Sequence, residues 1–187
     1  MKMLFKRKFN GDGLAYDEIN DGCEWVAEGL GFATRKWDGT CCLVRGGELY
    51  RRYDAKNGKT PPVGFEPAQP EPDEHTRHWP GWLKVGDGPQ DQFHREGWSN
   101  FLSRVGCVPV DGTYELCGPK IGKNPEGFED NVLVRHGVEI YDDCPRDFEG
   151  LKAFLSSHGI EGIVWWQSKS QKCEKVKVRA ADFGIKR

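Results

Sequence analysis

The segment TCCLVRGGELYRRYDA, residues 40–55, constrains the fold more than any other stretch of the chain. Two runs rich in apolar residues flank Gly46-Gly47, a pair that tolerates the positive φ angles of a two-residue hairpin turn. If the chain turns on these glycines, counting outwards from the turn sets Cys41 opposite Arg52. The segment therefore predicts a β-hairpin with a defined register.

Strand patterns predominate in the rest of the chain, with one clear helix. The strand patterns are GTYELCG (112–118), EGIVWW (161–166) and EKVKVRA (174–180). RDFEGLKAFLSSH, residues 146–158, has apolar residues at helical spacing and ends near Gly159. This order predicts an α+β fold with antiparallel sheets flanked by short helices.

The length of 187 residues predicts one domain over 1–187. Residues 54–98 hold seven of the eleven prolines, which predicts an irregular Pro-rich insertion, long enough to be functional. Because this insertion also carries five Phe and Trp residues, we expect it to pack on the rest of the domain.

The composition favours a cytoplasmic protein. No apolar run approaches the roughly 20 residues that span a bilayer, and the first residues lack the apolar core of a secretory signal. Seven cysteines is an odd number, and none of them forms a C-x-x-C pair. We therefore expect reduced thiols, no disulfide framework and no membrane partner.

Positive charge is concentrated near the C-terminus. Although the net charge is only −2, residues 163–187 carry seven Lys and Arg against two acidic residues. This segment suggests an anionic partner, either phosphate or nucleic acid. A solvated, charged strand remains the alternative explanation of the same charges.

Four polar features occur at the predicted strands in a fixed order. They are Lys36 with Asp38, Glu115, Glu161, and Lys175 with Lys177. Period-2 alternation sets the last two lysines on one strand face, where an anion such as phosphate would offset their repulsion. A positive pair together with burial also lowers the pKa of a further lysine, which makes its amine a nucleophile. Carboxylates on separate strands suit a largely hydrated Mg²⁺ bound to a triphosphate.

These features resemble the motifs of the covalent nucleotidyltransferases, the superfamily of ATP-dependent ligases and mRNA capping enzymes. KWDG resembles motif I, YELCG motif III, EGIVWW motif IV and KVK motif V, in the same order over residues 33–178. Local runs resemble more closely the RNA ligase family that includes a vertebrate ATP-dependent 5′-3′ RNA ligase. These runs are ATRKWDGTCC, RRYDAKNGKTPP, HWPGW, YELCGPKIGKNPEG and RHG.

The resemblance implies the nucleotidyltransferase fold and a three-step reaction. Lys36 attacks ATP to give lysyl-AMP, the AMP moves to an RNA 5′-phosphate, and the RNA 3′-hydroxyl displaces it. By position, Glu161 and Asp38 would hold Mg²⁺, or Mn²⁺ in its place, through its waters. Lys175 and Lys177 would bind the α-phosphate.

The resemblance also assigns the nucleoside contacts. Glu115 would bind the ribose, and His136 would stack on adenine with Val164 beneath it. DNA ligases usually have Arg five residues after the nucleophile, whereas this chain has Cys41 there. In the predicted hairpin, Arg52 brings a guanidinium to nearly the same place from the partner strand.

Two other departures from the family concern Arg35 and the C-terminal side. Related RNA ligases usually have Glu where this chain has Arg35. No sequence follows motif V for the oligonucleotide-binding fold of DNA ligases, so we expect a catalytic core alone.

Two alternative functions stay open: a GTP-dependent RNA capping nucleotidyltransferase, and a non-catalytic nucleic-acid-binding relic of the fold. Intact Lys36, Glu161, Lys175 and Lys177 argue against the relic, which has no need of all four.

Overall fold

A computed structural model of the chain describes residues 1–8, 11–74, 76–106, 109–169 and 172–187. These residues form two compact units, the first comprising Met1–Trp37 and His136–Arg187 and the second Asp38–Arg135. Strands predominate and helices are few, which confirms the predicted α+β class. None of the described helices has the length and apolar character needed to cross a membrane.

The secondary-structure elements follow one another in chain order. The strands are β1 (Lys2–Met3), β2 (Phe5–Arg7), β3 (Ala15–Ile19), β4 (Phe32–Lys36), β5 (Thr40–Arg45), β6 (Glu48–Ala55), β7 (Glu66–Pro67), β8 (Trp79–Lys84), β9 (Gly112–Cys117), β10 (Val132–Arg135), β11 (Gly162–Lys169) and β12 (Lys172–Arg179). The α-helices are α1 (Glu24–Ala27), α2 (Gln92–Val105) and α3 (Phe148–His158), and short 3₁₀ helices cover Pro89–Asp91 and Ala180–Phe183.

A four-stranded sheet in the order β1-β12-β11-β4 organises the first unit. Neighbouring strands are antiparallel except β1, which runs parallel to β12. Because side chains alternate along a strand, one face of this sheet is apolar and packs against α3. The buried residues that share this core include Ala33, Leu151, Leu155, Ile163, Trp165, Val176 and Val178.

Helix α3 lies where the sequence predicts it, and local signals explain both of its ends. The Asp147 side chain caps the N-terminus by accepting a hydrogen bond from the Gly150 amide at 2.8 Å. At the C-terminus Gly159 adopts a left-handed conformation with φ of 61°, which ends the helix. Leu151 and Leu155 are fully buried, as the predicted apolar stripe requires.

A six-stranded sheet in the order β10-β9-β5-β6-β8-β7 organises the second unit. The predicted hairpin turns on Gly46 and Gly47, whose φ angles are 59° and 77°. The pairing of Cys42 with Arg51 has the register that the turn predicts. Strand β9 lies beside β5, and its Tyr114 is buried in the core of this unit.

The Pro-rich insertion is more regular than the sequence predicts. The segment WPGWLK forms β8, which pairs with both β6 and β7, so the expectation of an irregular excursion is wrong there. Gly81 permits this packing, because a Cβ atom at that position would lie 2.3 Å from the Phe65 ring. The indole of Trp79 donates to the Gln69 carbonyl at 2.8 Å, and its ring meets that of Phe65 edge-on. These long-range contacts stabilise a strand despite its proline.

Candidate active site

The outward face of the first unit's sheet, here called the polar face, carries three cross-strand rows of residues. The rows are Lys36–Gly162–Arg179, Thr34–Val164–Lys177 and Phe32–Trp166–Lys175. The predicted alternation of β12 is confirmed, because Val176 and Val178 point to the opposite, buried face. The polar face therefore brings together Lys36, Val164, Lys175 and Lys177, four of the predicted site residues.

Lys36 lies at the end of β4 and forms an ion pair with Glu161, the residue that precedes β11. The Lys36 Nζ atom is 2.5 Å from Glu161 Oε2, and the two side chains are 21% and 18% exposed. The Glu161 carbonyl accepts a hydrogen bond from the Ala180 amide at 2.8 Å, which fixes its backbone at the end of β12. The Lys36 amine, in the first row of the polar face, is thus held in contact with the Glu161 carboxylate.

On the polar face, the surroundings of Lys177 disfavour its protonated, charged form. Burial lowers its pKa, and the nearby positive charges of Lys36 and Arg179 lower it further. The carboxylates of Glu161 and Asp182 partly offset this effect. A partly buried cation near other cations is electrostatically unfavourable. A bound anion would reduce this repulsion.

Arg179 is fixed by a buried carboxylate. Asp182, only 1% exposed, accepts hydrogen bonds from the Arg179 amide at 2.8 Å and from its Nη2 at 3.1 Å. The same carboxylate also pairs with Arg7. Because two guanidinium groups share one buried acceptor, Arg179 is held rigidly at the end of the row that contains Lys36.

Lys175 and Lys177 share a face, as the sequence predicts, but have different neighbours. Lys175 Nζ lies 3.9 Å from the centre of the Trp166 ring, whereas Lys177 pairs across the strands with Val164. The two tryptophans of EGIVWW also differ. Trp165 is fully buried, whereas Trp166 lies on the polar face.

In the second unit, two carboxylates hold consecutive amides of the K-x-D-G turn. The Asp38 amide donates to Glu126 Oε1 at 3.1 Å, and the Gly39 amide donates to Glu115 Oε1 at 3.2 Å. Position 39 requires glycine, since a Cβ atom there would lie 2.2 Å from the Leu116 carbonyl oxygen. Glu126 was not a candidate from the sequence, although it lies in the run YELCGPKIGKNPEG.

Arg52 is partly exposed and bound to a neighbour on its own strand. Its Nε and Nη2 atoms donate to Asp54 Oδ1 at 2.9 and 2.8 Å. The adjacent Arg51 points to the other face of β6, where it pairs with the buried Asp91 at 2.7 Å. Of these two arginines, Arg52 is therefore the one that could bind a ligand. To do so, it would have to exchange its contact with Asp54.

The remaining predicted contacts concern adenine and the residue before the nucleophile. Val164 is buried in the middle row, whereas His136 is partly buried at the start of the second segment of the first unit. Arg35, which stands where related ligases have Glu, stacks on the Trp37 ring at 3.9 Å and pairs with Glu139. Arg35 therefore has a structural role of its own within the first unit.

The predicted site residues divide between the two units. The first unit contains Lys36, His136, Glu161, Val164, Lys175 and Lys177, and the second contains Asp38, Arg52 and Glu115. Comparisons with protein-family models and with curated proteins find no match for this chain. Its function is therefore inferred from the chemistry of these side chains.

Proposed function

We propose that this protein is an ATP-dependent RNA ligase that joins RNA 5′-phosphate and 3′-hydroxyl ends through lysyl-AMP. The observation that carries the proposal is the ion pair of Lys36 with Glu161 beside the partly buried cation Lys177. An amine next to a carboxylate and a cation cluster is the arrangement expected for nucleophilic attack on a phosphate.

Lys36 is the proposed nucleophile. Its nitrogen forms a bond to the α-phosphorus of ATP, the bond to the bridging oxygen breaks, and pyrophosphate leaves with that electron pair. The ammonium has no lone pair, so its proton must leave before attack, and the contact with Glu161 must then change. Lys175 and Lys177, on the same sheet face, are the proposed groups that bind the α-phosphate and stabilise its negative charge, with Arg179 beside them.

Glu161 fits the role of a magnesium ligand. Its carboxylate is partly exposed and offers hard oxygen atoms, which Mg²⁺ prefers. A bound Mg²⁺ would neutralise phosphate charge and compete with Lys36 for this carboxylate. Asp38 of the second unit is proposed as the other acidic ligand by its position in the K-x-D-G motif, and Mn²⁺ would suit the same oxygen donors.

The proposed nucleoside contacts follow from the positions of the residues in the family motifs. The Gly39 amide orients the Glu115 carboxylate, which we assign to the ribose. Val164 is proposed to lie under adenine and His136 to stack on it, because aromatic and apolar groups bind the two faces of a base. Arg52 is proposed to exchange Asp54 for a phosphate, to which a guanidinium binds well.

RNA is the proposed second substrate because positive charge is concentrated in residues 163–187. In the second step an RNA 5′-phosphate oxygen attacks the AMP phosphorus, and the Lys36 amine leaves. In the third step the RNA 3′-hydroxyl attacks the activated 5′-phosphate, and AMP leaves. The Lys and Arg side chains would bind the RNA backbone and make its binding sensitive to salt.

A sealing assay tests this proposal. RNA strands with 5′-phosphate and 3′-hydroxyl ends are incubated with the protein, Mg²⁺ and either ATP or GTP. We expect a longer product with ATP only, and no sealed product when the acceptor carries a 3′-phosphate. Transfer of GMP to a 5′-diphosphate end would indicate the capping alternative, and nucleotide-independent RNA binding alone would indicate the non-catalytic one.

A further inference from the structure

The row Phe32–Trp166–Lys175 of the polar face includes an aromatic residue that the proposed reaction does not yet use. Trp166 pairs across the strands with Phe32 of β4 on one side and with Lys175 of β12 on the other. Since the three residues lie on the same face as Lys36 and Lys177, this row belongs to the surface that carries the proposed chemistry.

The indole of Trp166 is fixed at its edge. Its Nε1 donates to Thr34 Oγ1 at 2.8 Å, and the Thr34 hydroxyl donates in turn to the Val164 carbonyl at 3.1 Å. Thr34 is 1% exposed, so this relay is shielded from water. A Cβ atom at Gly137 would lie 3.4 Å from Trp166 Cζ2, so the backbone at Gly137 also packs against the six-membered ring of the indole.

The face of this fixed ring contacts Lys175. The Nζ atom lies 3.9 Å from the ring centre, well within the range of a cation–π contact. A lysine side chain has four rotatable bonds and loses considerable rotamer entropy when it is held in one place. The indole already holds the Lys175 ammonium in one position. Less rotamer entropy is therefore lost when a phosphate binds.

We propose that Trp166 is a positioning residue for Lys175, and that Thr34 orients Trp166 for this purpose. The proposal rests on the proposed function, in which Lys175 contacts the α-phosphate of ATP. The Thr34–Trp166–Lys175 relay holds the ammonium on the polar face before ATP arrives. Trp166 thus acts on ATP through Lys175 and does not itself touch the nucleotide.

A double-mutant cycle tests whether Trp166 acts through Lys175. Single-turnover formation of enzyme-AMP is measured against ATP concentration for the parent, Trp166→Leu, Lys175→Met and the double variant. We expect Trp166→Leu to raise the half-saturating ATP concentration by about fivefold, the effect of losing one cation–π contact, with less change in the maximal rate. In the Lys175→Met background the same substitution should change it less than twofold.

Conservative variants separate positioning from a merely structural role. Trp166→Phe keeps a π face for Lys175 and should recover most of the ATP affinity. Thr34→Val removes the hydrogen bond to the indole and should weaken ATP binding in the parent but not in Lys175→Met. Thermal unfolding shows whether Trp166→Leu folds. If it does not, Trp166→Phe and Thr34→Val test the proposal in its place.

Three results would overturn the inference. An equal, multiplicative effect of Trp166→Leu in both backgrounds means that Trp166 does not act through Lys175. A loss of RNA sealing with unchanged ATP affinity means that the ring stacks on a base of the RNA. A parent protein that forms no enzyme-AMP removes the proposed function itself and this inference with it, whereas the first two results leave that function intact.

Discussion

Trp165 and Trp166 are consecutive residues of β11, yet they belong to opposite faces of one sheet. Trp165 is fully buried in the core of the first unit, among residues such as Ile163 and Val178. Trp166 lies beneath the ammonium of Lys175 on the polar face. The apolar face is optimised for packing, whereas the polar face gathers cations that repel one another. From this difference within one sheet we expect the apolar face to stabilise the fold and the polar face to bind an anion.

The largest effect on folding is expected on the apolar face. Trp165→Ala removes a fully buried indole and should lower the free energy of unfolding by about 4 kcal/mol, because the surrounding side chains cannot fill the cavity. Denaturant unfolding measures this change. Trp166→Phe is the matched control and should cost less than about 1 kcal/mol. Equal losses for the two variants would remove the distinction between the faces.

The opposite pattern is expected for Lys177. Lys177→Met removes a partly buried charge that Lys36 and Arg179 repel, so the free energy of unfolding should stay the same or rise. Enzyme-AMP formation should fall by about 100-fold, the usual range for one group that stabilises developing charge. Lys186→Met, on an exposed lysine of the same terminal segment, is the control for both measurements. Clear destabilisation by Lys177→Met would mean that this lysine supports the fold.

Much of the secondary structure could be predicted because its signals are local. The Gly46-Gly47 turn determines the hairpin, and Asp147 and Gly159 delimit α3. The role of Trp166 could not be predicted, although strand alternation would have separated it from Trp165, because aromatic residues usually mark the core. Glu126 was missed because its contact with the Asp38 amide joins residues far apart in sequence.

The same difference between local and long-range signals applies to the Pro-rich insertion. Its prolines predicted irregular backbone, but strand β8 depends on pairing with β6, which lies about 30 residues earlier in the chain. Strand alternation set Lys175 and Lys177 on one face, whereas candidates such as His136 and Val164 came from the family resemblance. The contacts of the candidate residues, such as Arg52 with Asp54 and Lys36 with Glu161, required the folded structure.

A smaller effect is expected for Glu115 in the second unit. Glu115→Ala should reduce discrimination between ATP and 2′-deoxy-ATP by about tenfold, because a charged hydrogen bond to the ribose is lost. Competition between the two nucleotides in enzyme-AMP formation measures this preference. Glu126→Ala is the matched control, since it removes the acceptor of the adjacent Asp38 amide and should keep the preference. Loss of preference in both variants would indicate disruption of the turn.

The smallest effect is a change in pH dependence caused by Lys177. Because its pKa lies below the ordinary 10.5, Lys177 loses its proton at a lower pH in the folded protein than in the unfolded chain. Between these two values its contribution to stability rises with pH, since the unfolded chain binds more protons. ATP affinity, which needs the positive charge, should fall over the same alkaline range.

Lys177→Arg separates this titration from other alkaline effects. A guanidinium stays protonated, so ATP affinity should persist to higher pH than in the parent. Titration calorimetry with ATP at a series of pH values, from neutral to alkaline, measures the difference. Lys186→Arg should leave the parent's profile unchanged. Identical profiles for the parent and Lys177→Arg would show that another group causes the alkaline loss.

The central claim is that the polar face holds an amine which becomes covalently attached to AMP. The most direct test is incubation with ATP and Mg²⁺ followed by mass spectrometry of the intact protein and of its peptides. We predict the gain of one AMP, located on Lys36, and no gain in Lys36→Arg, whose protonated guanidinium is not a nucleophile. AMP on a different lysine, or undiminished labelling of Lys36→Arg, would contradict the account.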